Sequence, residues 1–283
     1  MTAPARLDRD SLPAIHDLCR RSIRGAPPAV ELSIDELEGA LFATEQATVI
    51  RGDPAVGVVA TVEWESQAYV RLLVVDPEER GRGHGHELVR AAEADARAAG
   101  HTSLQIGADA PFFLWAGAPS TEIELLCLLE RHHYQRVDTN YDMTIDLVGD
   151  PGGLPADPGG HRLATSADRD ELDAWATKHW PNWRCEMLRA LGKGNLVVAH
   201  DDVDISAICA FEVNRAGFLG PVASRPDLIG KGAGRAGLVG ALHELRRRGR
   251  DSVEVAWVGP IVPYAQLGGR VSTVYFVYRK DLP

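Results

Sequence analysis

The 283-residue sequence lacks the marks of secretion, membrane insertion and disulfide bonding. Asp8 and Asp10 precede any apolar run, which is unlike the start of a secretory signal. Its apolar runs fall short of the roughly 20 residues that cross a membrane. The four cysteines include no Cys-x-x-Cys pair, and they are Cys19, Cys127, Cys185 and Cys209. We therefore expect free thiols in a cytoplasmic protein.

Basic charge is also in short supply, since 30 lysines and arginines stand against 40 aspartates and glutamates. The formal net charge of -10 argues against general binding to nucleic acid or to an anionic membrane, which needs a basic face. The histidines do not stand at metal-ligand spacings from cysteines or carboxylates, so the sequence predicts no metal site. With 45% hydrophobic and 25% charged residues, the composition is that of a globular protein.

What the sequence does contain is an internal repeat. Pro226 follows Pro77 by 149 positions, and Gly232 follows Gly83 by the same 149. Each glycine-rich segment follows an apolar run typical of a strand and precedes a helical pattern that ends at a glycine. Hairpin-like pairs of apolar runs also precede both segments. The sequence therefore predicts two similar modules, residues 1–148 and 161–283, joined by a linker rich in glycine and proline at 149–160.

Both glycine-rich segments predict a phosphate-binding loop between a strand and a helix. Glycines let backbone N–H groups approach an anion, and the helix N-terminus adds its positive end. The alternative, an ordinary turn, is less favoured because the pattern occurs twice. A dinucleotide fold is disfavoured because residues 224–227 are hydrophilic and separate the strand from the glycines. A Walker loop fails because Gly232 stands where Ser or Thr is needed.

These segments resemble the pyrophosphate loop of the GNAT superfamily of acyl-CoA N-acyltransferases, which reads Gln/Arg-x-x-Gly-x-Gly/Ala. The first segment matches fully, whereas Ile229 replaces the leading Gln or Arg in the second. The resemblance covers both halves and implies for each a mixed α/β fold, with a central, mostly antiparallel sheet flanked by helices. It further implies that acetyl-CoA binds in a cleft of this sheet and that its acetyl group passes directly to a primary amine.

The resemblance assigns cofactor-binding residues in both halves, on the loop and on the strand before it. In the first half these are Val74, Val75, Arg80, Gly81, Arg82, Gly83, His84 and Gly85. In the second half they are Val222, Ala223, Ile229, Gly230, Lys231, Gly232, Ala233, Gly234 and Arg235. Arg82 and Lys231 are expected to pair with a phosphate at the edge of each loop.

The two halves differ where the family often places a tyrosine that protonates the departing CoA thiolate. Tyr264 has the family spacing, whereas Leu129 holds that place in the first half and cannot donate a proton. The resemblance therefore places catalysis in the second half. It also implies a base on the strand before the cofactor strand, where the candidates are Glu212 in the second half and Glu63 or Glu65 in the first. A solvated glutamate that points outward is the alternative interpretation of each.

Trp180 and Trp183 lie between the first two predicted helices of the second half, where family members often bind the acceptor. They predict an apolar or cationic amine site, with lid or core packing as the alternative. The leading hypothesis is an acetyl-CoA-dependent N-acetyltransferase acting on a small-molecule amine. The alternative is a non-catalytic acyl-CoA-binding or sensor protein. Two modules in one chain would form a pseudo-dimer, so we expect a monomer or a homodimer.

Overall fold

A computed structural model of the protein describes residues 4–23, 32–42, 46–148 and 154–283. The chain divides into a first unit, Met1–Tyr141 with Thr273–Pro283, and a second unit, Asp142–Ser272. This division differs from the boundaries that the sequence predicts at 148 and 161, because each half of the sequence gives its last strand to the other half. Of the predicted linker, residues 149–153 lie outside the described residues, and 154–160 form no helix or strand.

The first unit is a mostly antiparallel sheet flanked by helices. Its strands are β1 (Arg6–Leu7), β2 (Thr48–Asp53), β3 (Gly57–Trp64), β4 (Gln67–Val75), β5 (Ser103–Ile106), β6 (Ala118–Pro119), the start of β7 (Gln135–Asp146) and most of β13 (Arg270–Asp281). Its helices are α1 (Leu12–Ser22), α2 (Ile34–Leu41), α3 (His84–Ala98) and α4 (Ile123–Arg131). The strand order β1-β2-β3-β4-β5-β13 contains one parallel pair, β4–β5, among the pairs described.

The second unit repeats this plan. Its strands are the end of β7, β8 (His161–Leu163), β9 (Leu196–His200), β10 (Ile205–Phe211), β11 (Phe218–Ser224), β12 (Ser252–Val255) and the start of β13. Its helices are α5 (Arg169–His179), α6 (Arg184–Gly192), α7 (Ala233–Arg247) and α8 (Val262–Ala265). The order is β8-β9-β10-β11-β12-β7, and β11–β12 is the parallel pair.

The closing strands are exchanged between the halves of the sequence. β7 pairs antiparallel with β12, so that Met143 lies opposite Val255. β13 pairs antiparallel with β5, so that Tyr278 lies opposite Ile106. Without the strand from the other half, each sheet would end in an unpaired edge, which natural sheets avoid.

Helices cover both faces of each sheet because the strands carry apolar residues on both sides. In the first unit, α1 and α2 pack around Leu72 on one face, and α3 and α4 pack around Val70 on the other. In the second unit, α5 and α6 pack against Ile208. On the opposite face α7 packs closely on β10, so that a Cβ at Gly237 would make an ordinary contact of 3.8 Å with the Cys209 Cβ.

The predicted fold class, a mixed α/β fold with a mostly antiparallel sheet flanked by helices, is confirmed. None of the described helices is long and apolar enough to cross a membrane.

Candidate active site

The two glycine-rich loops have the same backbone conformation. Gly81 and Gly83 have φ of 77° and 96°, and Gly230 and Gly232 have φ of 79° and 87°. No atom lies within 4 Å of a Cβ built at any of the four, so glycine is needed for its conformation and not for space. The last glycine of each pair is followed at once by a helix of 15 residues.

Both helix N-termini are suited to an anion. No side chain caps the first turn of α3 or of α7, so the N–H groups there point out of the helix without a side-chain acceptor. The positive end of the helix dipole acts in the same direction.

The charges around the loops differ. The guanidinium of Arg82 lies 2.8 Å from the carboxylate of Glu79, and His84 Nε2 lies 3.7 Å from the same group. The second loop has Leu228 in the place of Glu79, and Lys231 is exposed. A phosphate at the first loop would therefore share its cations with Glu79, whereas the carboxylate that acts on Lys231 at the second loop, Asp227, is itself paired with Arg225.

The third glycine of each loop lies close to a side chain. A Cβ at Gly234 would lie 2.8 Å from Ser224 Oγ, and one at Gly85 would lie 3.0 Å from Leu128. The leading residues of the two motifs, Arg80 and Ile229, differ in whether their side chains form a polar contact. Arg80 Nη2 donates to the Ser22 carbonyl at 3.2 Å, whereas Ile229 is 60% exposed and has no polar atom on its side chain.

The second loop is fixed at its start by the buried side chain of Arg225, which was missed in the sequence analysis. Its guanidinium donates to Asp227 at 2.8 Å, to Asp201 at 3.0 Å and to Asp204 at 2.6 Å. Because these carboxylates come from two different turns, the ion pairs hold the end of β11 against the β9–β10 hairpin. The hairpin aspartates therefore have a structural partner.

A cleft opens in each sheet where the parallel strands separate. β4 and β5 pair as far as Val70 and Ile106, and we call the gap beyond them the first cleft. β11 and β12 pair as far as Leu219 and Val255, and we call the gap beyond them the second cleft.

The predicted strand residues lie beyond these last pairs. Val74 and Val75 pair with β3, and Val222 and Ala223 pair with β10, each on the side away from the cleft. The cleft side of each strand is therefore available to hydrogen-bond a ligand.

Tyr264 lies in α8 and is buried. Burial raises the pKa of its hydroxyl, and the nearby Cys209 thiol raises it further, so the phenol stays protonated at neutral pH. The helix ends in a turn in which Gly269 N donates to the Tyr264 carbonyl at 2.9 Å. Tyr134 N donates to the Leu129 carbonyl at 3.0 Å in the same way, so Leu129 takes the place of Tyr264 in the first unit.

The predicted bases are held by other groups. Glu212 has a φ of 48° in the turn after β10, where its Oε1 accepts from Gly217 N at 3.0 Å and from Arg250 Nε at 2.7 Å. These contacts stabilise the turn. Glu63 lies 3.5 Å from His101, and Glu65 has a φ of 53° in the β3–β4 turn. Catalysis by Glu212 therefore stays a prediction that its surroundings do not favour.

The two predicted tryptophans have different partners. Trp180 Nε1 donates to the Ser224 carbonyl at 2.9 Å, which ties the α5–α6 loop to the end of β11. Trp183 meets Trp257 edge to face, with ring centroids 5.3 Å apart. Trp257 follows β12 at the second cleft and has a φ of 50°. Its apolar neighbours in the sequence indicate only a strand, and for this reason its place beside Trp183 was missed.

Glu254 was also missed as a site residue. It is fully buried on β12, where Thr144 Oγ1 donates to its Oε2 at 2.8 Å and Ser272 Oγ donates to its Oε1. Burial raises its pKa to about 7 and Asp142 acts in the same direction, against the two hydroxyl donors and Arg215. A glutamate between two valines in a strand is the available signal, but its partners come from distant parts of the sequence.

The first cleft is filled on the α1/α2 side. Arg71 is buried, and its Nε donates to Asp109 at 2.7 Å while its Nη2 donates to the Pro111 carbonyl at 2.7 Å. The segment 107–117, which follows β5, places Leu114 in the core that α1 and α2 form with Leu72. Among the described residues no group of His, Cys, Asp or Glu is arranged to hold a metal ion.

Residues 15–112 match the family model described as "Acetyltransferase (GNAT) family". No sequence among curated proteins matches this chain. Solved structures share its fold at low identity. One is a GCN5-related glucosamine N-acetyltransferase region of a fungal multi-domain GH3 beta-N-acetylglucosaminidase, with a TM-score of 0.78 and 19% identity over 98% of this chain and 38% of that one. This chain therefore spans less than half of that fungal protein.

Two other structures match over nearly their full length. A GCN5-related N-acetyltransferase from Sphaerobacter thermophilus has a TM-score of 0.72 and 21% identity, over 99% of this chain and 97% of that one. A tandem GNAT protein from the clavulanic acid biosynthesis pathway has a TM-score of 0.71 and 18% identity, over 99% and 98%. At these identities the likeness establishes the fold.

Proposed function

We propose that this chain is a tandem GNAT acetyltransferase and that its second unit transfers the acetyl group of acetyl-CoA to a primary amine of a small molecule. One observation carries the proposal. The second unit combines a glycine loop at a helix N-terminus, a cleft beyond Leu219 and a buried, protonated Tyr264. In the first unit Leu129 stands in the place of the tyrosine, and Arg71 with its partners fills the cleft.

The residues of the second unit fit the cofactor. The N–H groups at the start of α7 and the exposed Lys231 would hold its pyrophosphate. Backbone groups of Val222 and Ala223 on the cleft side of β11 would orient the thioester and hold its oxygen as charge develops. When bound, acetyl-CoA supplies the activated acetyl group.

Tyr264 would act on the sulfur. The amine nitrogen forms a bond to the acetyl carbon while the C–S bond breaks. Tyr264 donates its proton to the departing sulfur and regains the proton that the nitrogen loses, so the hydroxyl is unchanged after one turnover. Its raised pKa keeps the phenol protonated at neutral pH, so the form that can donate the proton is present.

Calorimetric titration with acetyl-CoA tests which loop is used. Ala233→Glu places a carboxylate at the first residue of α7, where the helix dipole tolerates it but a phosphate would meet its charge. We expect this variant to lose at least about tenfold in affinity. His84→Glu is the matched change at the start of α3 and should leave the affinity of the second site unchanged.

The outcomes separate the two units. If His84→Glu alone abolishes binding, the first unit is the working one. If the wild-type protein binds no acetyl-CoA, the proposed function fails.

A second candidate is a non-catalytic acyl-CoA-binding protein. The exposed Ile229 favours it, since this side chain cannot contribute the polar contact of a Gln or Arg. Tight binding of acetyl-CoA without transfer to any amine of a broad panel would support this alternative. In either case we propose a cytoplasmic protein, as a monomer or a homodimer.

A further inference from the structure

Glu254 lies at the second cleft, on the face of the sheet that α5 and α6 cover. It is the register partner of Phe218 in the parallel β11–β12 pair, one position before the last paired residues. Side chains alternate between faces along a strand. Ala223 packs with α5 and α6, whereas Cys209, which pairs with Val222, faces α7. Phe211 and its register partner Leu219 also lie on the α7 side. Phe218, the neighbour of Leu219, and its partner Glu254 therefore lie on the α5/α6 side.

This position separates Glu254 from Tyr264. Tyr264 lies near Cys209, on the α7 side. A ligand in the second cleft would thus have a proton donor on one face of the sheet and a carboxylate on the other. In transfer from a thioester to an ammonium, the nitrogen loses two protons and the sulfur gains one. The carboxylate can take the first proton, and Tyr264 can take the second after giving its own to the sulfur.

The carboxylate is oriented by two hydroxyl groups. Thr144 on β7 donates to one oxygen at 2.8 Å, and Ser272 on β13 donates to the other. Each carboxylate oxygen has two lone-pair directions, so each can accept one more hydrogen bond. The charged groups that bear on Glu254 are Asp142 of β7 and Arg215 of the β10–β11 turn.

Aromatic rings lie on the same face. Trp183 and Trp257 meet edge to face, and Trp257 N donates to Asp142 Oδ1 at 2.8 Å. The faces of indole rings attract cations. The α5/α6 side of the second cleft therefore joins an aromatic wall to carboxylates, which suits an ammonium group.

The first unit has no such carboxylate at this place. Gln105 is the partner of Tyr69 in the β4–β5 pair, as Glu254 is the partner of Phe218 in β11–β12. Opposite Gln105 on the closing strand stands Arg279, where the second unit has Thr144. Gln105 Nε2 donates to the Gly107 carbonyl at 3.0 Å. An amide held in this way cannot accept a proton near neutral pH.

We propose that Glu254, rather than Glu212, accepts the proton of the acceptor ammonium in the second unit, an inference that rests on the proposed function. In this step an N–H bond of R–NH3+ breaks and its proton goes to a carboxylate oxygen of Glu254. The neutral amine R–NH2 keeps the electron pair and attacks the acetyl carbon. Glu254 releases the proton to solvent before the next turnover. Thr144 and Ser272 act as positioning residues.

The pH dependence follows from the ionised form. Only the carboxylate can accept the proton, so kcat/KM should fall as the pH drops through about 7. The ammonium group of the acceptor titrates well above this range, near the pKa of about 10 that alkylamines have. It gives a separate limb of the curve of kcat/KM against pH.

The experiment compares Glu254→Gln with Asp146→Asn, a matched change of an exposed carboxylate on β7. We expect Glu254→Gln to lower kcat/KM by about 10²–10⁴-fold and to lose the limb near pH 7. Its Kd for acetyl-CoA should stay within about twofold of the wild type, which also shows that the variant is folded. Asp146→Asn should keep both the rate and the limb. Carboxyl NMR of 13C-glutamate-labelled protein should show one resonance that titrates near pH 7 and is absent from Glu254→Gln.

Each outcome separates this inference from the proposed function. If Glu254→Gln keeps the rate and the limb near pH 7, or if Glu212→Gln loses them instead, the role of Glu254 is wrong. The proposed acetyltransferase function is then unaffected. A wild-type protein that binds acetyl-CoA but acetylates no amine overturns both. If the resonance that Glu254→Gln removes titrates near pH 4.5 in the wild type, the buried site itself is contradicted.

Discussion

The two units have the same frame and differ in what occupies their clefts. Each has a helix of 15 residues that begins after a left-handed glycine, Gly83 or Gly232. In the first cleft, Arg71 and Asp109 form a buried ion pair on the side where the second cleft has Trp183. The comparison teaches that the glycine loop and the side chains that line the cleft can vary independently in this fold.

Sequence similarity and chemical equipment favour different units. The family model matches residues 15–112, all in the first unit, where the loop carries the complete motif with Arg80. The groups suited to proton transfer, Tyr264 and Glu254, lie in the second unit. A loop motif is local and is recognised from a few residues, whereas a reactive site needs groups that only the folded chain assembles.

Removing the hydroxyl of Tyr264 should have the largest effect, and it tests the main proposed difference between the two units. We expect Tyr264→Phe to lower kcat by about 10²–10⁴-fold, because the sulfur then departs without a proton donor. Affinity for acetyl-CoA should be unchanged, since the ring is kept. Steady-state kinetics and calorimetry on the same preparation measure the two quantities.

Tyr134→Phe is the matched control for Tyr264→Phe. Tyr134 is also buried and also has a raised pKa, but it lies between α4 and β7 in the first unit. We expect it to keep full activity. Equal losses in the two variants would mean that the first unit takes part in the reaction and that the proposed contrast is wrong.

The filled first cleft should matter for stability and not for transfer. Asp109→Asn leaves the guanidinium of Arg71 buried without its counter-charge, which should lower the free energy of unfolding by about 3–5 kcal/mol. Urea unfolding followed by circular dichroism measures this loss. The activity of the folded fraction should not change.

Asp95→Asn is the control for Asp109→Asn, because it breaks the more exposed Arg51–Asp95 pair in the same unit. A loss of about 1 kcal/mol or less is expected for a pair near the surface. If Asp109→Asn costs no more than this control, the buried pair does not hold the segment 107–117 in place.

The sequence was sufficient for the parts of the fold that local rules determine. The glycine loops, the helices after them and the contrast between Tyr264 and Leu129 follow from spacing and from backbone conformation. The exchange of β7 and β13 could not be predicted, because both strands are 12 residues long and either could close either sheet.

The same limit explains the site residues that were missed. The hydroxyl groups on Glu254 come from residues 110 and 18 positions away, Thr144 and Ser272, and one of them arrives only through the exchanged strand. Glu212 is the candidate from the sequence because the resemblance implies a base on the strand before the cofactor strand. Its contact with Arg250, which occupies its carboxylate, is 38 positions distant and leaves no local signal.

Alanine at the two loop glycines should have the smallest effect, and it tests whether the two loops differ in binding as well as in conformation. Gly83→Ala and Gly232→Ala each force a Cβ into a positive φ, which should cost about 1–2 kcal/mol of stability in either unit. Gly192→Ala, in α6 with no atom within 4 Å of its Cβ, should be neutral or slightly stabilising. Thermal unfolding measures these costs, and calorimetry with acetyl-CoA measures their effect on binding. If both variants lose similar stability but only Gly232→Ala binds acetyl-CoA more weakly, both loops need glycine to fold and only the second loop binds the cofactor. Weaker binding in both variants would mean that both loops bind acetyl-CoA, and the difference between the units would then lie wholly in the groups that move protons.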